Sequence, residues 1–327
     1  MILPYLLRLL CLCFASFFVL NAATGLFVRI SSKTAIRFAE SRRSSTAARL
    51  LLALRLLPFA LAVLFVIGLC VPSYLWLEPA ASSERVGLLC VVFGFLGAAI
   101  WLASIARTVR SLVASLRHNR RCRLAGGQET RLPGNSSPIV LVENEAPLLA
   151  LSGLLRPRLL ISRGVLRVLS AEELDAALRH EHAHRTSRDN AKRLLLLLAP
   201  DIFPFVRSLR TLEHSWSKFA EWAADDQAAG GDFRRAVSLA AALVHVARMG
   251  SAPPLPFLST SLLACDRDLS ARVDRLLHLI PIARVYSKPM HHGLRTAGFF
   301  LAGCLAALLL TPSALSSVHE LLEFLLR

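Results

Sequence analysis

Arg179-His180-Glu181-His182-Ala183-His184 holds two histidines four positions apart with a glutamate directly after the first, the pattern H-E-x-x-H. On an α-helix, residues i and i+4 share a face, so the imidazoles of His180 and His184 can converge on one Zn²⁺. Glu181 then stands beside the open coordination position, placed to take a proton from an attacking water. His182 points off that face and reads as a bystander. The helix is itself predicted by Ser170-Ala171-Glu172-Glu173. This matches a capping box, with Ser170 as N-cap and Glu173 reaching back, and opens a helix through Leu174, Ala177 and Leu178 into His184.

A catalytic zinc site needs a third protein ligand and an open position. Downstream, Glu221-Trp222-Ala223-Ala224-Asp225 puts two carboxylates at i and i+4 in an Ala-rich helix whose packing does not need them. Glu221 is the expected third ligand, and Asp225 is expected to accept the N–H of a ligand histidine and fix its tautomer. Glu213 competes for the ligand role but lacks a carboxylate partner at i+4. Asp189, five residues after His184, either caps the next helix or supports the site from behind.

Around this core the composition is that of a membrane protein. Of 327 residues 54% are hydrophobic and 18% charged, against about 25% charged in soluble domains, with a net charge of +16 and mean hydropathy of +0.52. Disorder is excluded. A bilayer core about 30 Å thick takes about 20 apolar residues in a helix, and four segments qualify: 9–28, 56–77, 86–106 and 296–318. A signal peptide ending near Asn21-Ala22-Ala23 is disfavoured, because no basic region precedes the apolar run and the run continues past that site. Seven cysteines without a CxxC pair or a disulfide-like spacing read as reduced, structural thiols.

Lys and Arg are concentrated between the first two spans (Arg29, Lys33, Arg37, Arg42, Arg43, Arg49, Arg55) and after the third (Arg107, Arg110, Arg117, Arg120, Arg121, Arg123). The positive-inside rule makes both segments cytoplasmic, with the N-terminus and the tail after residue 318 outside. The same clusters explain the pI of about 10.8 through contact with an anionic lipid surface, so direct nucleic-acid binding is not expected. Strands are predicted at Pro138 to Val142 and Arg158 to Ser162, with a turn at Gly153. Further helices are predicted over Asn190 to Leu198 and from about Leu209 to Gly230-Gly231. The 158–162 strand is a candidate sheet edge for an extended peptide substrate.

His180 to His184, then Arg188-Asp189-Asn190, then Glu221 to Asp225 resemble the gluzincin pattern of membrane metallopeptidases of the BlaR/MecR type, the beta-lactam sensor-transducers. Gly153 to Ser162 and Leu169 to Leu174 are similar to the segment ahead of the zinc helix in that family. The resemblance implies His180, His184 and Glu221 as zinc ligands and Glu181 as general base. It further implies a mainly α integral membrane protein of four transmembrane helices with a cytoplasmic α+β gluzincin-like domain, a small sheet plus the H-E-x-x-H helix. Residues 1–106 would form a membrane domain, 107–290 the metallopeptidase, and 291–327 the fourth span with a short external tail. The expected setting is a bacterial cytoplasmic membrane. The expected activity is zinc endopeptidase action in signal transduction, on the chain itself or on a cytoplasmic repressor. Receptors of that family carry a penicillin-binding sensor beyond the last span; this sequence stops at Arg327, so sensing by serine acylation is not expected.

Two other readings of the sequence compete with this one. An HtpX-like quality-control protease is disfavoured by three spans ahead of the zinc helix. A non-catalytic membrane signalling protein with a structural metal site is disfavoured by the intact Glu181, because a structural site has no use for a base and is usually closed by a fourth side chain.

Overall fold

The computed structural model describes residues 4–78, 86–124, 128–130, 139–154, 157–201, 207–250, 258–262 and 269–278, with isolated positions 311, 316, 317 and 320. The expected fourth span, 296–318, therefore lies almost wholly outside the described residues, as does the Pro133-Gly134-Asn135 loop. Among the described residues the chain is mostly helical, with three helices long and apolar enough to cross a membrane.

Helix α1 runs Tyr5–Glu40 and α2 runs Ser44–Phe65, continued by a π-helical turn, Val66–Cys70, and by α3, Val71–Leu77. Helix α4 covers Leu88–Leu124. The apolar segments 9–28 and 56–77 fall inside these rods and 86–106 does so from Leu88 on, and each rod runs well past its segment at one end. At 36 residues, α1 extends about 54 Å, against about 30 Å of hydrocarbon. The excess lies at the C-terminal end of α1, the N-terminal end of α2 and the C-terminal end of α4, all on the side of the sheet and the helices that follow it. Helix α4 passes straight through residue 107.

Strands β1 (Gln128–Thr130), β2 (Ile139–Val142), β3 (Leu149–Ser152) and β4 (Arg158–Ser162) precede α5 (Arg163–Val168), α6 (Ala171–Ser187) and α7 (Asp189–Leu198). After them come α8 (Arg207–Ala229), α9 (Phe233–Arg248), β5 (Ser259–Ser261) and α10 (Leu269–Leu277). The strands form one mixed sheet in the order β1-β2-β4-β3-β5, with β2 and β4 parallel and the other pairs antiparallel. Strand β4 is thus central, hydrogen-bonded to β2 on one side and β3 on the other. This overturns the expectation that 158–162 offers an edge to a peptide. Its apolar run Leu159-Leu160-Ile161 is the mark of a strand covered on both faces.

Both faces of the sheet are indeed covered. Ile139, Leu149, Leu159 and Ile161 pack against α6, α9 and α10, while Val140, Val142, Leu148, Ala150 and Leu160 surround Cys122 near the end of α4. Gly164 lets the β4–α5 corner press on the 143–147 loop, since an added Cβ would clash with the Glu145 carbonyl. A third cluster joins this part of the chain to the long apolar helices: Leu209, Leu212, Trp216, Phe219 and Ala220 of α8 pack on Val28 and Ala39 of α1 and on Ala47, Ala48 and Leu51 of α2.

Candidate metal centre

Helix α6 starts as the sequence predicts. The Glu173 amide donates to the Ser170 hydroxyl at 3.3 Å, and the Ser170 amide donates to the Glu173 carboxylate at 3.0 Å. This start sets the phase of the helix, so that His180, Glu181 and His184 are all buried while His182 is exposed. The helix ends on Arg188 in the left-handed conformation, φ 55° and ψ 43°. That residue reverses the chain at once into α7, whose first residue, Asp189, comes back under His184.

Nε2 of His180 and Nε2 of His184 lie 3.1 Å apart. One oxygen of Glu221, Oε2, stands 3.4 Å from the first and 3.5 Å from the second. Three donor atoms on a tetrahedral ion with bonds of about 2.0–2.1 Å would be separated by about 3.4 Å. Behind the imidazoles, Asp225 lies 2.9 Å from Nδ1 of His180, and Asp189 lies 2.7 Å from Nδ1 of His184. An Nδ1–H held by a carboxylate leaves the Nε2 lone pair facing the common centre. His180, His184 and Glu221 thus form a buried cluster able to hold a metal ion.

The charge balance points the same way. With neutral imidazoles, the carboxylates of Glu181, Asp189, Glu221 and Asp225 face, among the described residues, Lys192 and Arg272 as cations, a deficit of two positive charges that a divalent cation would make good. Both oxygens of Glu181 and both of Glu221 are buried without a hydrogen-bond donor among the described residues, and such burial is costly unless a cation or proton answers it. Protons respond accordingly. Burial opposes charge on His184, yet the Glu221 and Asp189 carboxylates outweigh it and lift its pKa to about 10. His180 is raised likewise, burial being outweighed by Asp225 and Glu221. Burial pushes the Glu181 carboxyl up to about 7, against the opposing charges of His180 and His184. For Glu221 burial is outweighed by His184 and His180, which hold it well below the carboxylate range.

Each residue singled out from the sequence can now be placed. His180, Glu181, His184, Glu221, Asp225 and Asp189 come together in one buried site. The open question over Asp189 is answered by its contact with His184, which it makes from the first turn of α7. Glu213 is not part of the site; it accepts a hydrogen bond from Arg55 of α2 at 2.8 Å. One residue was missed. Arg272 of α10 is buried, donating from Nε and Nη2 to the two oxygens of Asp225 at 2.9 and 2.7 Å and from Nη1 to the Leu262 carbonyl at 2.9 Å. Its Nη1 also stands 3.3 Å from Glu221. Arg275, one turn on, pairs with Asp226 and reaches Ser44 of α2.

Compared with known protein families, curated proteins and solved structures, the chain matches none.

Proposed function

We propose that the chain is a membrane-bound zinc endopeptidase of the gluzincin type, resembling the BlaR/MecR sensor-transducers, which cleaves itself or a cytoplasmic regulator in response to a signal. The observation that carries this reading is Glu181. It is a buried carboxylate with no hydrogen-bond donor among the described residues, adjacent in sequence to one of two convergent histidines, where a purely structural site would gain nothing from it. The overhanging helix ends and their basic residues support a cytoplasmic peptidase domain on a bacterial inner membrane, with a fourth span over residues 296–318.

When bound, zinc would polarise a peptide carbonyl and acidify a water at the open position. Asp225 and Asp189 hold the Nδ1 protons of His180 and His184, so that both rings present Nε2 to the metal. Glu221 supplies the third donor, and Arg272 keeps Asp225 and Glu221 ionised and in place. Glu181 takes the proton of the attacking water and returns it to the departing amine nitrogen.

The test is zinc content measured together with cleavage of a generic peptide and of the chain itself, on detergent-purified wild type and Glu181→Gln, each with and without chelator. Zinc near one per chain in both proteins is expected. Chelator-sensitive cleavage is expected only in the wild type, with a loss of about 100- to 10,000-fold in the variant. Equal cleavage by the two proteins would refute the role of Glu181, and protein free of zinc as purified would refute the centre.

A further inference from the structure

At the end of the helix bundle far from the metal centre, four thiols meet in two pairs. Sγ of Cys11 lies 3.9 Å from Sγ of Cys90, and Sγ of Cys13 lies 4.0 Å from Sγ of Cys70. All four belong to one apolar cluster with Leu12, Ala15, Tyr74 and Val86. Positions i and i+2 of a helix point about 200° apart, so Cys11 and Cys13 cannot bond to each other. They are sent instead to two different neighbours, α4 and the π-helical turn, and each finds a thiol there.

Three observations argue against four small residues meeting by chance. Of the five described free cysteines, four are in these two contacts, and only Cys122 stands elsewhere. Cys70 closes the π-helical turn Val66–Cys70. The one extra residue of a π turn shifts the phase of the helix by about 100°, and such turns are frequent at functional sites. Finally, Gly94, one turn beyond Cys90, brings the backbones of α1 and α4 together at Cys11: an added Cβ would stand 2.9 Å from the Cys11 sulfur and 3.0 Å from its carbonyl oxygen. Gly97 repeats the approach at Phe14. Facing sulfurs on helices this close need rotation about χ1 more than movement of the backbone to reach the bonded distance of about 2.05 Å.

We propose that Cys11–Cys90 and Cys13–Cys70 are oxidisable dithiol pairs, converted to two disulfides by a lipid-soluble two-electron oxidant of the quinone class. In each pair two S–H bonds are lost and one S–S bond forms; the two electrons and two protons pass to the quinone, which leaves as quinol. A disulfide is neutral and suits this apolar setting. A monovalent soft metal held by two thiolates would bury a net negative charge instead, and Arg8, a cation of the same region, already stands 3.5 Å from Glu78. Cys11 and Cys13 are only partly buried, which leaves a route for an oxidant dissolved in the lipid. Once formed, the bonds would fasten α1 to α4 and to the α2–α3 rod.

The tryptic map makes the pairs separable. Cleavage after Arg8, Arg29, Arg55, Arg85 and Arg107 puts Cys11 and Cys13 on peptide 9–29, Cys70 on 56–85 and Cys90 on 86–107. Membranes holding the full chain would be treated with decyl-ubiquinone, free thiols blocked with N-ethylmaleimide, and the digest analysed by mass spectrometry with and without reductant. The expected result is loss of alkylation at all four thiols and a single reducible species joining the three peptides. Cys13→Ser should leave 9–29 joined to 86–107 alone, and Cys90→Ser should leave it joined to 56–85 alone. Alkylation at the level of untreated membranes, linkage of 9–29 to any other peptide, or Cys13→Ser leaving 9–29 joined to 56–85 would overturn the proposal; the wild-type map decides whether the four thiols oxidise and which peptides they join, and the two variants decide which cysteine meets which.

Discussion

Asp225 and Asp189 do the same work from different elements, each holding the Nδ1 side of one imidazole. Replacing either with Asn removes the charge that fixes the ring, and Asp225→Asn or Asp189→Asn should weaken metal affinity about 10- to 100-fold with the helical circular dichroism unchanged. Competition with a chromophoric chelator measures it. Arg272→Ala is a harsher change: it strands a buried carboxylate and should cost about 3–5 kcal/mol, read as a lowered denaturation midpoint, whereas Asp225→Asn combined with it should recover part of the loss. The histidines and both α8 carboxylates were legible in the sequence because i, i+4 spacing puts chemistry on one face of one helix. Arg272 was not, since it reaches the site from a separate helix and nothing local distinguishes it among the chain's many arginines.

Helix α8 has two working faces. Glu221 and Asp225 look toward α6, and Leu212, Trp216 and Phe219 look toward α1 and α2. Truncating buried Trp216 to Ala should cost about 3–5 kcal/mol and also lower metal affinity, because the helix carrying the third donor would lose its seat. Thermal melts and chelator competition on the same detergent-purified sample would separate the two effects. Hydropathy located the three rods but not their lengths. It registers lipid thickness, whereas the helix itself can run on into polar sequence, and no Gly or Pro occurs between Arg29 and Glu40 to stop it. The order of the sheet was hidden for another reason: short apolar runs at 139–142 and 158–162 signal burial, and nothing in them says that β4 inserts between β2 and β3.

The whole molecule is a bundle of long helices that continues into the domain it carries, so removing the metal should be felt as global stability. A ligand bound only to the folded state adds about 2.7 kcal/mol at 100 times its Kd. EDTA should therefore lower the melting temperature of the wild type and restore it when Zn²⁺ is returned in excess, while His184→Ala should melt at the lower temperature with or without chelator. An unchanged wild-type melt would count against a tightly held ion. The donor set has a further consequence, because two of its atoms come from α6 and the third from α8. A bound ion then acts as a gauge of the distance between those two helices, and the far side of α8 rests on rods that reach the opposite end of the bundle. A slip of about 1 Å at a reacting centre can cost about 100-fold in rate, so a movement of the rods too small to alter the fold is large on the scale of the coordination sphere.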